Sequence, residues 1–128
     1  MNVDQFNAAV KDWAQRYVPG VLRDAQRKLC LDGLNGLVMK TPVDTGRARG
    51  GWQAGINQRP AGQVERLDKD GTATIEAGKA VVENVKAFDA CYITDNVHYI
   101  LKLEDGHSGQ APNGMLSVTV EELTASFK

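Results

Sequence analysis

Asn96-Val-His-Tyr-Ile-Leu-Lys-Leu-Glu-Asp-Gly-His-Ser-Gly-Gln-Ala-Pro-Asn-Gly-Met115 is the stretch whose continuation sets the class of the fold. It opens on Tyr99, Ile100, Leu101 and Leu103, a spacing compatible with a strand or with a turn of helix. It then runs through a polar loop containing Gly106, Gly109 and Pro112, which has little apolar surface with which to build a core. Beyond it, Leu116, Val118 and Val120 alone would alternate as in a strand. Leu116, Val120, Leu123 and Phe127, by contrast, recur at helical spacing. The helical spacing persists to the end of the chain, and Asn113 is a suitable cap, so a C-terminal helix is expected.

Working back from this stretch, Asp95-Asn96 reads as a turn and Ala90-Cys-Tyr-Ile-Thr94 as a short strand. Ile75, Gly78, Val82 and Val85 form the stripe of a helix, with Val81 and Phe88 at its edge and Thr74 as its expected cap. Gln58 to Gly71 is polar and contains Pro60 and Gly62. It is expected to be a long flexible loop or an extended hairpin without core residues. Trp52, Ala54 and Ile56 alternate with Gly51, Gln53 and Gly55 as in a strand. Asp44 is expected to cap a short turn carrying Arg47 and Arg49 on its surface.

The N-terminal third reads as two helices. Phe6, Val10, Trp13 and Tyr17 share a face with Ala9 and Ala14, behind a cap at Asp4. Pro19 suits the first turn of a second helix, because its missing N–H would have no partner there. From Val21 to about Met39, the residues Leu22, Ala25, Leu29 and Leu37 share a face, and Pro42 stops the helix. Gly33 and Gly36, each costing about 1 kcal/mol against alanine in a helix interior, imply close approach of another backbone. The expected fold class is α+β, with N-terminal helices and a C-terminal helix packed on a small antiparallel sheet.

At 128 residues the chain fits a single domain, 1–128. An apolar fraction of 42% and a charged fraction of 24% are those of an ordinary globular protein, and a net charge of −1 implies no general attraction to nucleic acid or membrane. The N-terminal residues lack the pattern of a signal peptide, and no apolar run approaches the ~20 residues of a bilayer span. Cys30 and Cys91, far apart in sequence, are expected to be two buried thiols in a reducing compartment.

Several residues have the chemistry of catalytic groups without the required spacing. Asp44-Thr45-Gly46 matches the tripeptide of dimeric aspartic proteases, but Pro42 and Arg47 stand where that site has apolar strand residues. Asp105, His107 and Ser108 are triad ingredients, yet near neighbours in one loop seldom attain triad geometry. His98, Glu104 and His107 fit no standard metal spacing. Arg47, Arg49 and the Gly-Gly-Trp that follows resemble a fragment of an RNA-binding segment, and a small nucleic-acid-binding module is the alternative reading. The expectation is a protein with no catalytic role, no cofactor and no metal.

Two segments together carry a resemblance. Thr41-Pro-Val-Asp-Thr-Gly-Arg-Ala-Arg-Gly-Gly-Trp52 is similar to the "TPVDTG-x-x-R…W" element of bacteriophage neck and tail-completion proteins. Asn96, Tyr99-Ile100 and the run from Leu103 to Met115 resemble that family's second element, "LE-x-G-x-S-x-QAP-x-GM". His98 stands where a proline is common there, and Asp105 where an aromatic often follows the glutamate. The resemblance implies a virion protein at the head–tail junction of a tailed phage, assembled in the host cytoplasm as a ring of identical subunits, most often six. The expected partners are further copies, the head connector or adaptor, and tail terminator or tube proteins, with DNA passing through the lumen and no membrane. Subunit or partner contacts are expected at Asp44, Arg47, Arg49, Trp52, Asn96, Tyr99, Glu104, Ser108, Gln110, Pro112 and Met115. A ring needs two different patches that meet across a rotation that closes. The loop at 58–71 is expected to order on assembly.

Overall fold

Two five-residue strands, β1 (Trp52–Ile56) and β2 (Cys91–Asp95), pair antiparallel with Trp52 opposite Asp95 and Ile56 opposite Cys91. A ribbon of two strands is at best marginal in water and needs an apolar layer against it. That layer comes from the helices. The computed structural model describes residues 2–126, in which the ribbon is joined by α1 (Val3–Arg16), α2 (Val18–Lys40), the single turn α3 (Arg47–Gly50), α4 (Thr72–Val82), α5 (Ile100–Glu104) and α6 (Leu116–Ala125). This is the expected α+β arrangement. No helix among the described residues is long and apolar enough to cross a membrane.

α2 is the axis of the fold, packing against α1, α3, α4, α6 and both strands. Its buried face is Gly33, Leu34, Leu37 and Val38, at i, i+1, i+4 and i+5. These join Trp52, Ala111 and Met115 in one core, with Ile75, Ile93, Ile100 and Leu103 packed around it. The expected row Leu22, Ala25, Leu29 and Leu37 is therefore not the buried one: Ala25 and Leu29 are exposed and Leu22 is half-buried. The reason is that the first half of α2 extends past the short sheet and turns a polar side inward. Gln26 and Arg27 there bind the backbone after α4, at Asp89 O (2.8 Å) and Val85 O (3.0 Å).

α4 buries Thr74, Gly78 and Val82, close to the expected stripe, and Val85 follows. Gly78 is where α4 crosses α2, since a Cβ there would overlap the Leu34 side chain. On the opposite side of α2, Gly36 lies under Thr119 of α6, whose Cγ2 is 2.9 Å from the place of a Cβ. The neighbour at Gly36 is thus a side chain, and Gly33 has ordinary van der Waals room, 3.7 Å to Ile93 and Leu123. α6 turns Met115, Val118, Thr119 and Leu123 inward, leaving Leu116 and Val120 about half exposed, which corrects the expected row. Phe127 lies outside the described residues.

The helix starts also differ from expectation. Asn2, not Asp4, caps α1 through a reciprocal capping box with Gln5, at 2.8 and 3.0 Å. Asp44, Thr74 and Asn113 do not cap α3, α4 and α6, whose N-cap residues are Gly46, Gly71 and Met115. The segment 57–70 forms no hairpin. It is an irregular loop that runs back over α3, meeting it through Arg47–Gln63 and Arg66–Gly50, with its own Asp68 buried.

Candidate functional site

The two patterned segments meet. Gln110 and Val43 exchange a pair of hydrogen bonds, Val43 N to Gln110 Oε1 at 2.9 Å and Gln110 Nε2 to Val43 O at 3.0 Å. The amide thereby acts as one more strand residue beside Val43, satisfying both of its backbone groups. Between the segments lies a cavity of about 220 Å³, lined by Pro42, Asp44, Thr45, Arg47, Tyr99 and Ser108 among others.

The first segment is organised around the end of α2. Thr41 donates its hydroxyl to Leu37 O (2.6 Å) and accepts the buried Trp52 indole N–H (2.7 Å). Arg49 donates to Met39 O (3.1 Å), Thr41 O (3.0 Å) and Lys69 O (2.7 Å). A guanidinium with several fixed donors is suited to gathering the free carbonyls at a helix C-terminus. Arg47, by contrast, is exposed and reaches Gln63 Oε1 (2.8 Å). Gly46 has φ +89°, and a Cβ there would lie 2.7 Å from the Asp68 amide nitrogen. Only glycine lets the chain turn there and the 57–70 segment pass directly above.

The second segment is organised around Glu104. Its carboxylate accepts Met115 N (3.0 Å), Leu116 N (2.6 Å), Ser117 N (3.3 Å) and the Ser117 hydroxyl (3.0 Å). It is the acceptor that the first turn of α6 needs, supplied from α5. Burial pushes the Glu104 pKa up, but the hydrogen bonds from Leu116, Met115 and Ser117 outweigh it and hold the group below its ordinary value. Asp68 does the same for α4. It accepts Gly71 N (3.0 Å), Thr74 N (2.8 Å) and the Thr74 hydroxyl (2.6 Å). Burial again raises its pKa, and the bonds from Thr74 and Gly71 bring it below the ordinary value.

The remaining expected positions fall into two groups. Asn96 donates to Pro60 O (3.1 Å) and Gly62 O (2.8 Å), Ser108 accepts Gln110 N (3.2 Å), and Met115 is buried. Like Arg49, Trp52, Glu104 and Gln110, these side chains make their contacts within the chain. Asp44, Arg47 and Pro112 are exposed, and Tyr99 is half-buried with its ring edge-on to His98 at 5.0 Å. Asp105 and His107 are exposed, and among the described residues no hydrogen bond joins them to each other or to Ser108, whose hydroxyl accepts Gln110 N. Among the described residues no three of His, Cys, Asp and Glu form a group that could hold a metal.

One surface escaped the sequence reading. α1 has no buried residue, and Val3 (73%), Phe6 (58%), Val10 (47%), Trp13 (57%) and Tyr17 (57%) stand exposed at alternating steps of three and four. Periodicity showed the face, though not that it is left bare. A second apolar patch has Leu101 (74%) of α5 and Leu116 (52%) of α6 lining one groove, with Val120 (49%) one turn further along α6. Asp68 was missed too, although Asp68-x-Asp70-Gly71 ahead of a helical stripe is turn-and-cap chemistry. Compared with known proteins, the chain matches no family model, no curated protein and no solved structure.

Proposed function

We propose that this chain is a structural subunit of a tailed bacteriophage, assembling with copies of itself into a ring at the junction of head and tail. The observation that carries the proposal is the bare apolar row of α1. A 14-residue helix is marginal in water on its own, and α1 gains no buried side chain from the rest of the chain. Covering its face is worth about 1.5–3 kcal/mol for each large side chain that becomes fully buried. Such a row at a 3–4 spacing is the seam of a helix that packs on protein.

The ring form is supported by there being two unlike patches, α1 and the α5–α6 surface. A heterologous contact needs two such surfaces, and each subunit then offers one to each neighbour. The resemblance of residues 41–52 and 96–115 to neck and tail-completion proteins supplies the phage setting, a copy number of six, and the head connector and tail proteins as partners. The tight internal bonding of those segments supports a role as a rigid frame that presents the exposed Asp44, Arg47 and Pro112. No bond is made or broken in this role.

Binding nucleic acid through Arg47 and Arg49 has less support, because the Arg49 guanidinium is occupied by three carbonyls. The test is to measure the mass of the purified chain by light scattering and to locate the subunit in assembled particles by electron microscopy. A ring at the neck is the expected result. Particles that join heads to tails without this subunit would refute the proposal.

A further inference from the structure

Cys30 and Cys91 are distant in sequence and adjacent in the fold. At one end of their contact region, Gln26 accepts Phe88 N (3.1 Å) and donates to Asp89 O (2.8 Å). At the other, the place of a Cβ on Gly33 lies 3.7 Å from Ile93 Cδ1. Cys30 lies between Gln26 and Gly33, about one helical turn from each, and Cys91 lies midway between Asp89 and Ile93. The two side chains are thus bracketed onto one another where α2 packs on β2. Both are free and half-buried, within reach of a small reagent.

Their proximity makes the two thiols unlike. The neighbouring Cys91 pushes the Cys30 thiol well above the ordinary value, with burial adding to the effect. Cys30 in turn brings Cys91 below it, against the opposing effect of burial. Cys91 is therefore the sulfur that ionises first, and the thiolate is the nucleophile in disulfide exchange.

We propose that Cys30 and Cys91 form a reversible dithiol–disulfide site that exchanges with small-molecule disulfides and, when oxidised, staples the middle of α2 to the start of β2. The Cys91 thiolate attacks one sulfur of the small disulfide, expelling one small thiolate and leaving a mixed disulfide. Cys30 then loses its proton to water and attacks Cys91 Sγ, expelling the second small thiolate. One small disulfide and two protein thiols are consumed, and one protein disulfide and two small thiols are formed. The bond closes a long loop, which restricts the unfolded chain most. This chemistry is independent of what the protein assembles with.

The test treats the full chain with oxidised glutathione, then measures free thiols, intact mass and linked peptides. Both thiols should disappear together, the mass should fall by two hydrogens, and the Cys30 and Cys91 peptides should be joined within one chain. The thermal midpoint should rise and return with dithiothreitol. Cys30→Ser and Cys91→Ser chains should each retain one glutathione adduct. Survival of both thiols, stable glutathione on both cysteines of the unaltered chain, or linkage between chains would overturn the proposal. Linkage in the unaltered chain decides the matter even where a serine variant misfolds.

Discussion

The Glu104 carboxylate accepts the Leu116 amide at 2.6 Å, although Leu116 lies twelve residues further along the chain. α5 and α6 are thereby joined at a charge placed on a helix start, while Ala111 and Met115 anchor the intervening loop in the core. Gly114 permits the closure, since at φ +81° it carries no Cβ to meet the Glu104 carbonyl and carboxylate.

Glu104→Ala should therefore destabilise the protein by about 1–2 kcal/mol, the usual cost of losing a helix cap. Because the folded pKa of Glu104 lies below its unfolded value, its contribution is present above the unfolded pKa and is lost as pH falls through the folded one. Urea denaturation should show the gap between natural chain and variant at pH 7 and its narrowing in acid. A variant as stable as the natural chain at pH 7 would show that α6 does not depend on this cap.

Asp95 has the opposite sign. It is buried, its Oδ1 accepts Val97 N (3.1 Å), and its Oδ2 has no partner. Burial pushes its pKa up to about 6, so the folded state binds the proton more tightly than the unfolded state. Its contribution is fully present below the unfolded value of about 4 and is lost as pH rises through about 6. Asp95→Asn can keep the bond to Val97 and removes the charge. It should stabilise by about 1–3 kcal/mol at pH 7 and change little below pH 4, as measured by denaturation at both values.

Gly46→Ala should strain a left-handed turn and press a methyl group into the Asp68 backbone, costing about 1–3 kcal/mol. Amide exchange should accelerate at Asp68 and Gly71, whose N–H groups bond to Gly46 O and to Asp68 Oδ1. Unchanged protection there would mean that the 57–70 segment is held by its other bonds.

These three positions show where sequence reading stopped. The alternation of Trp52, Ala54 and Ile56, the stripe of α4 and the placing of Pro19 were legible because each depends on residues a few places apart. The caps were misread for the same reason: Asp44, Thr74 and Asn113 were the nearest suitable side chains, while the carboxylates that serve α4 and α6 are Asp68 and Glu104. Such acceptors are chosen by the tertiary path. The buried face of α2 differs from the expected row because Gln26 and Arg27 in its first half turn toward backbone carbonyls after α4. The α1 row had the right period, but a period does not say what covers it.

Two unlike patches have a consequence that simple stickiness lacks. Placing aspartates at Phe6 and Trp13 should block assembly through α1, and Leu101→Asp should block it through the α5–α6 patch. In a heterologous contact each variant retains one sound surface, so a mixture of the two should pair and stop.

The most direct measurement is light scattering of the Phe6→Asp/Trp13→Asp chain, the Leu101→Asp chain and their equimolar mixture, beside the natural chain. Heterologous assembly through α1 predicts a closed oligomer for the natural chain, monomers for each variant alone, and a one-to-one dimer for the mixture. A natural chain that remains monomeric at high concentration, or variants that assemble as it does, would contradict it.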